Sequence, residues 1–132
     1  MTLYMLDTNI VGHLINQHPA VVRRVLDVSM ASLCISAVTK GELVYGLEKR
    51  PDATRLHRAV AEFLRRVDVL PWDRKTAARY GGLRAAMQRN GKTVASLDLF
   101  IAAHSLEAGA VLVTNDKAFR HVPGLGIEDW TV

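Results

Sequence analysis

The strongest constraint on this chain is a series of short apolar runs that end on polar or acidic residues, with helical patterns between them. The first run is Leu3–Leu6, closed by Asp7. It is long enough for a buried strand and too short for a helix. Leu33-Cys34-Ile35, Val67–Leu70 and Ala110–Val113 are runs of the same kind, and a last edge strand is expected within Gly124–Trp130. Between them, apolar residues recur at helical spacing: Ile10, Val11, Leu14 and Ile15; then Val21, Val22, Val25 and Leu26; then Leu43, Val44 and Leu47. The clearest 3.6-residue period is Leu56, Val60, Phe63, Leu64 and Val67. Further helices are expected from Arg74 to Arg89, closed by Asn90-Gly91, and from a Ser96 cap to Gly109. Strands alternating with helices imply an α/β fold with a central, mostly parallel sheet.

The 132 residues suffice for a single domain, 1–132, and hardly for two. No apolar stretch approaches the roughly 20 residues of a membrane span, and the N-terminus lacks the basic and apolar regions of a secretory signal. A lone cysteine, Cys34, excludes an internal disulfide framework. Inside a strand it reads as inert packing. A reducing compartment, the cytoplasm, is expected. Net charge is +4, a weak pointer to a polyanionic partner such as nucleic acid.

Against that basic background, four acids stand out by position. Asp7 and Asp116 directly follow apolar strands or lie within a few residues of one, Glu42 lies one helical turn beyond another, and Asp98 sits in the first turn of its helix. In a parallel sheet these strand ends share one edge, where ligands collect in open α/β folds. Each position also suits a helix terminus. Asp7 and Asp116 could be N-caps, Thr39-Lys40-Gly41-Glu42 matches a capping box, and Asp98 is favoured by the helix dipole. Four acids at the same kind of place are harder to assign to capping alone. Gathered in one crevice they would repel one another, which protonation or a bound cation relieves. An oxygen-only set selects a hard ion such as Mg²⁺ or Mn²⁺. The five histidines, His13, His18, His57, His104 and His121, are scattered without zinc-like spacing, and His104 reads as a core residue. An acidic metal site in a basic protein suits phosphodiester cleavage, with Lys40, Lys49, Arg50, Arg84, Arg89 and Lys92 as candidates to hold flanking phosphates.

With these motifs in place, the chain resembles the PIN-domain ribonucleases, and among them the VapC toxins of bacterial toxin–antitoxin pairs. The resemblance rests on Met5-Leu6-Asp7-Thr8-Asn9, Ile35–Leu43, Asp98-Leu99-Phe100-Ile101-Ala102-Ala103, Leu112-Val113-Thr114-Asn115-Asp116 and the closing Pro123–Trp130 segment. It implies a three-layer α/β/α PIN-like domain and endoribonuclease activity dependent on Mg²⁺ or Mn²⁺. It also implies that Asp7 and Asp98 are the principal metal ligands. Glu42 and Asp116 would ligate directly or through water, with Asn9 and Thr114 as supporting polar residues. The implied partners are an RNA substrate, with initiator tRNA a candidate, a VapB-type antitoxin, a second copy of the chain in a homodimer, and DNA only through the antitoxin.

Competing readings fit less well. An aspartyl-nucleophile phosphatase needs a second Asp two residues after the first, where this chain has Asn9. A receiver domain needs paired acids after its first strand and a late lysine, in an order not met here. No G-x-G-x-x-G follows the first strand, against a dinucleotide site. A non-catalytic RNA-binding or interaction module would not need all four acids.

Overall fold

The apolar runs pair edge to edge in the computed structural model, which describes residues 1–132. In chain order the elements are β1 (Tyr4–Leu6), α1 (Thr8–Ile15), α2 (Pro19–Leu26), β2 (Leu33–Ser36), α3 (Ala37–Glu48), α4 (Thr54–Arg66), β3 (Asp68–Leu70), α5 (Arg74–Arg89), α6 (Ser96–Ala108), β4 (Val111–Val113) and β5 (Ile127–Glu128). Short 3₁₀ turns cover Met30–Ser32 and Lys117–His121. No helix is long and apolar enough to cross a membrane.

The strand order is β3-β2-β1-β4-β5, and every pairing is parallel. Burial is deepest in the middle of the sheet, at Met5 and Leu6 of β1, all of β2, and Leu112 and Val113 of β4. Strand side chains alternate across the sheet, and the core divides accordingly. Met5, Cys34 and Leu112 face Leu83, Met87, Ile101 and Ala102 of α5 and α6. Leu6, Ile35 and Val113 face Ile10, Val21, Phe63 and Trp130 on the other side. The result is the expected three-layer α/β/α arrangement.

Local chemistry sets the helix starts. Asp7 accepts from the Thr8 amide at the head of α1, Ser36 from the Val38 amide at α3, and Asp73 from the Thr76 amide at α5. Pro19 opens α2, where its fixed φ suits a first helical residue. Gly109 ends α6 at φ 67°, a conformation that disfavours a Cβ. Two expectations are corrected. Ser96 does not cap α6, because it is already helical and Ala95 precedes it without a side-chain cap. The Thr39–Glu42 capping box does not form, because the Ser36 hydroxyl starts α3 at Ala37 and leaves Glu42 in its second turn. The last strand is also shorter than expected, since only Ile127–Glu128 pairs with β4.

Strand order decides where a site can form. From β1 the chain builds outward through β2 and β3, then crosses back to place β4 on the other side of β1. That reversal is a topological switch point, where a crevice opens at the carboxyl ends of the strands. Asp7 ends β1 there, and the register Leu6↔Val113 sets Thr114 beside it.

Candidate active site

Asp7 is 4% exposed and both its oxygens are engaged. Oδ1 accepts from the Thr8 amide at 2.8 Å, and Oδ2 accepts from the Thr114 hydroxyl at 2.8 Å. The same Thr114 oxygen accepts the Asp116 amide at 3.0 Å, so one buried hydroxyl ties the ends of β1 and β4 together. Thr8 reaches the other way, its hydroxyl donating to Glu42 Oε1 at 2.7 Å. Asp116 turns one oxygen, Oδ1, to the Ala118 amide at 2.9 Å, capping the 3₁₀ turn that follows. Asp98 stands half-buried in the first turn of α6.

The electrostatics show that the four acids share one field. Burial pushes the Asp98 carboxyl up to about 6, and the charges of Asp116, Asp7 and Glu42 add to the rise. Asp7 is also raised, first by burial. The Thr114 and Thr8 bonds oppose that rise, and the charges of Glu42 and Asp116 reinforce it. Asp7 and Asp116 therefore cap the turns that follow them while standing in the field of the other acids.

Thr8 is the residue that sequence reading passed over. It offers its amide to Asp7 and its hydroxyl to Glu42, whereas the neighbouring Asn9 is exposed. Only its place directly after Asp7 could have signalled this. The expected rim cations separate into groups. Lys49 and Arg50 line a groove of about 310 Å³ beside Thr8 and Glu42, floored by Ile15, Leu43 and Leu47. Arg84 and Lys92 line a smaller hollow with Ser96. Lys40 and Arg89 are exposed. The remaining sequence candidates are structural: His104 and Cys34 are buried, and burial pushes the Cys34 thiol up to about 12.

The donor set suits a divalent cation by its chemistry: carboxylate oxygens only, mutually repelling and partly desolvated. No three His, Cys, Asp or Glu side chains stand close enough together to hold one metal ion between them. Small hard cations such as Mg²⁺ are usually held by one or two carboxylates with several waters retained, so a closed protein cage is not required.

Comparison with known proteins identifies the family. The family model described as "PIN domain" matches residues 4–125. The tRNA(fMet)-specific endonuclease VapC of Shigella flexneri is 39% identical over 132 residues, covering 99% of this chain and 100% of that protein. Ribonuclease VapC2 of Haemophilus influenzae is 35% identical, covering 98% and 99%. The crystal structure of DNA-bound VapBC from Salmonella typhimurium superposes with a TM-score of 0.90 at 37% identity, covering 98% of this chain and 99% of that one. The chain therefore belongs to the PIN-domain family, in its VapC ribonuclease branch. Hydrolytic nuclease activity of the divalent-metal-dependent kind comes with that membership.

Proposed function

We propose that all 132 residues act as one PIN domain, the toxin of a toxin–antitoxin pair, and that it cuts RNA with Mg²⁺ or Mn²⁺. The observation that carries the reading is the shared field of Asp7, Glu42, Asp98 and Asp116 at the switch point of the sheet. Asp7 and Asp98 would hold the cation, and Glu42 and Asp116 would ligate it directly or through water, or help orient the attacking water. Bound there, the cation neutralises the scissile phosphate and lowers the pKa of water. The water oxygen bonds to phosphorus as one ester P–O bond breaks, and the leaving oxygen takes a proton. Thr114 and Thr8 keep Asp7 and Glu42 aimed through their hydrogen bonds. Asn9, exposed beside Asp7, is free to meet the substrate. Lys49 and Arg50, on the rim next to Glu42, hold flanking phosphates.

Initiator tRNA, cut in its anticodon stem-loop to stop translation, is the proposed target, by analogy with the Shigella relative's named specificity. A VapB-type antitoxin is the proposed partner, since the Salmonella and Rickettsia structures are VapBC complexes bound to DNA. Homodimerisation, DNA binding through the antitoxin alone and a cytoplasmic location complete the reading.

The test is brief expression followed by mapping of cleavage ends in cellular RNA, alongside purified protein incubated with tRNA and Mg²⁺ or Mn²⁺. Wild type should cut at one dominant site and Asp7→Ala should spare it. Equal cutting by both would refute the site assignment, and a dominant site elsewhere would refute the tRNA target.

A further inference from the structure

A buried histidine outside the acidic site joins the two helices that carry Glu42 and Asp98. His104 lies on α6 and is 3% exposed. Its Nδ1 is 2.7 Å from Ser36 Oγ, which is fully buried. Ser36 Oγ already accepts the Val38 amide at 3.1 Å, as the cap of α3. The Ser36 oxygen keeps a second acceptor site and its own proton, so the 2.7 Å contact joins hydroxyl and imidazole in either tautomer. The backbone of Pro71, just beyond β3, lies beside the ring. A continuous chain results, from the Val38 amide through the Ser36 hydroxyl to the His104 ring.

We infer that His104, acting through Ser36, is a positioning residue that sets where Asp98 stands relative to Glu42. Around His104, α6 packs mainly through Leu99, Ile101, Ala102 and Ala103, all buried. Apolar burial is non-directional. Hydrogen bonds are directional. The α6 helix has few of these pins: Ser36 to His104, Trp72 Nε1 donating to the Phe100 carbonyl at 3.1 Å, and Arg79 donating to Glu107 at 3.2 Å. The Ser36 hydroxyl is bonded to both helices, so a shift of α6 against α3 must break it. Glu42 lies on α3 and Asp98 on α6. The inference rests on the proposal that these carboxylates share a cation.

The test uses Mn²⁺ titration by calorimetry without RNA, then cleavage kinetics and thermal melts, on wild type, Asp98→Ala, His104→Leu and His104→Asn. Leucine fills the space without a hydrogen bond to Ser36, and the asparagine amide can make one. His104→Leu should bind Mn²⁺ about tenfold more weakly and lose kcat about tenfold, the low end for residues that orient metal ligands, with KM for RNA unchanged. His104→Asn should recover most of both, even where it melts lower than His104→Leu. Wild-type Mn²⁺ affinity and kcat in folded His104→Leu would overturn the inference, as would His104→Asn as impaired as His104→Leu. If His104→Leu does not fold, Ser36→Ala replaces it, and wild-type Mn²⁺ affinity in that variant overturns the inference equally. Mn²⁺ binding unaffected by Asp98→Ala would refute the shared-cation proposal itself and the inference with it.

Discussion

Replacing Asp98 by asparagine should stabilise the metal-free protein while abolishing RNA cleavage. The carboxyl titrates at about 6 rather than 3.8, so its charged form is disfavoured in the fold relative to the unfolded chain. A group with a raised folded pKa contributes stability that is fully present below its unfolded pKa and lost as pH rises through its folded value. For Asp98 that loss falls between about pH 4 and pH 6 to 7. At about 1.36 kcal/mol per pH unit, the penalty at pH 7.5 is at most about 3 kcal/mol. Asp98 is only half-buried, and solvent screening reduces the figure to about 1–2 kcal/mol. For a chain of this size that corresponds to roughly 3–10 °C in Tm. Asparagine keeps the shape and removes the charge from the field of Asp7, Glu42 and Asp116. The assay is thermal unfolding in chelator at pH 7.5 and pH 5. Wild type should gain stability on acidification, and Asp98→Asn should start higher at pH 7.5 and gain less. Saturating Mg²⁺ at pH 7.5 should raise the wild-type Tm and barely move the variant. If Asp98→Asn melts at or below wild type at pH 7.5, the claim that uncompensated charge strains this crevice is wrong.

Other variants probe the surrounding contacts. Thr114→Val leaves Asp7 Oδ2 and the Asp116 amide without their shared hydroxyl, which should cost about 1–3 kcal/mol in chemical denaturation and weaken Mn²⁺ binding; unchanged values in both would remove Thr114 from the site. Thr8→Val frees Glu42 and should lower kcat with little change in KM or Tm, whereas a KM effect alone would place Thr8 in substrate binding. Trp130 is fully buried, stacks near Tyr4, lies under the Arg24 guanidinium and donates to Glu128. Trp130→Ala should therefore cost about 3–5 kcal/mol by denaturant unfolding, and a loss below about 1 kcal/mol would show that the closing segment contributes little. Cys34, buried with its thiol pushed up to about 12, should resist alkylation until the protein unfolds; rapid labelling of the native chain would contradict its burial.

Periodicities within the chain carried most of the architecture. Runs such as Leu3–Leu6 and Ala110–Val113 are too short and too apolar to be anything but buried strands, and the 3.6-residue spacing from Leu56 to Val67 leaves a helix as the only way to bury one face. These patterns depend on neighbours a few residues apart, so sequence suffices to read them. The same locality made Asp7, Glu42, Asp98 and Asp116 legible, because each stands within a turn or two of a strand end or a helix start. Helix boundaries were less legible where two caps competed. Ser36 and Thr39 both suit the start of α3, and burial of Ser36 between β2 and His104 selects it.

What only the tertiary structure decided is which distant groups touch. Thr114 bonds Asp7 across 107 residues, Thr8 bonds Glu42 across 34, and His104 bonds Ser36 across 68. No periodicity records such pairs. They exist because the chain crosses from β3 back past β1 to lay β4 at its other edge, in the register Leu6↔Val113. Four acids at the ends of local elements were determined by sequence. Their gathering in one partly desolvated crevice, held by two threonine hydroxyls, follows from strand order, because only the parallel sheet brings those ends to one edge.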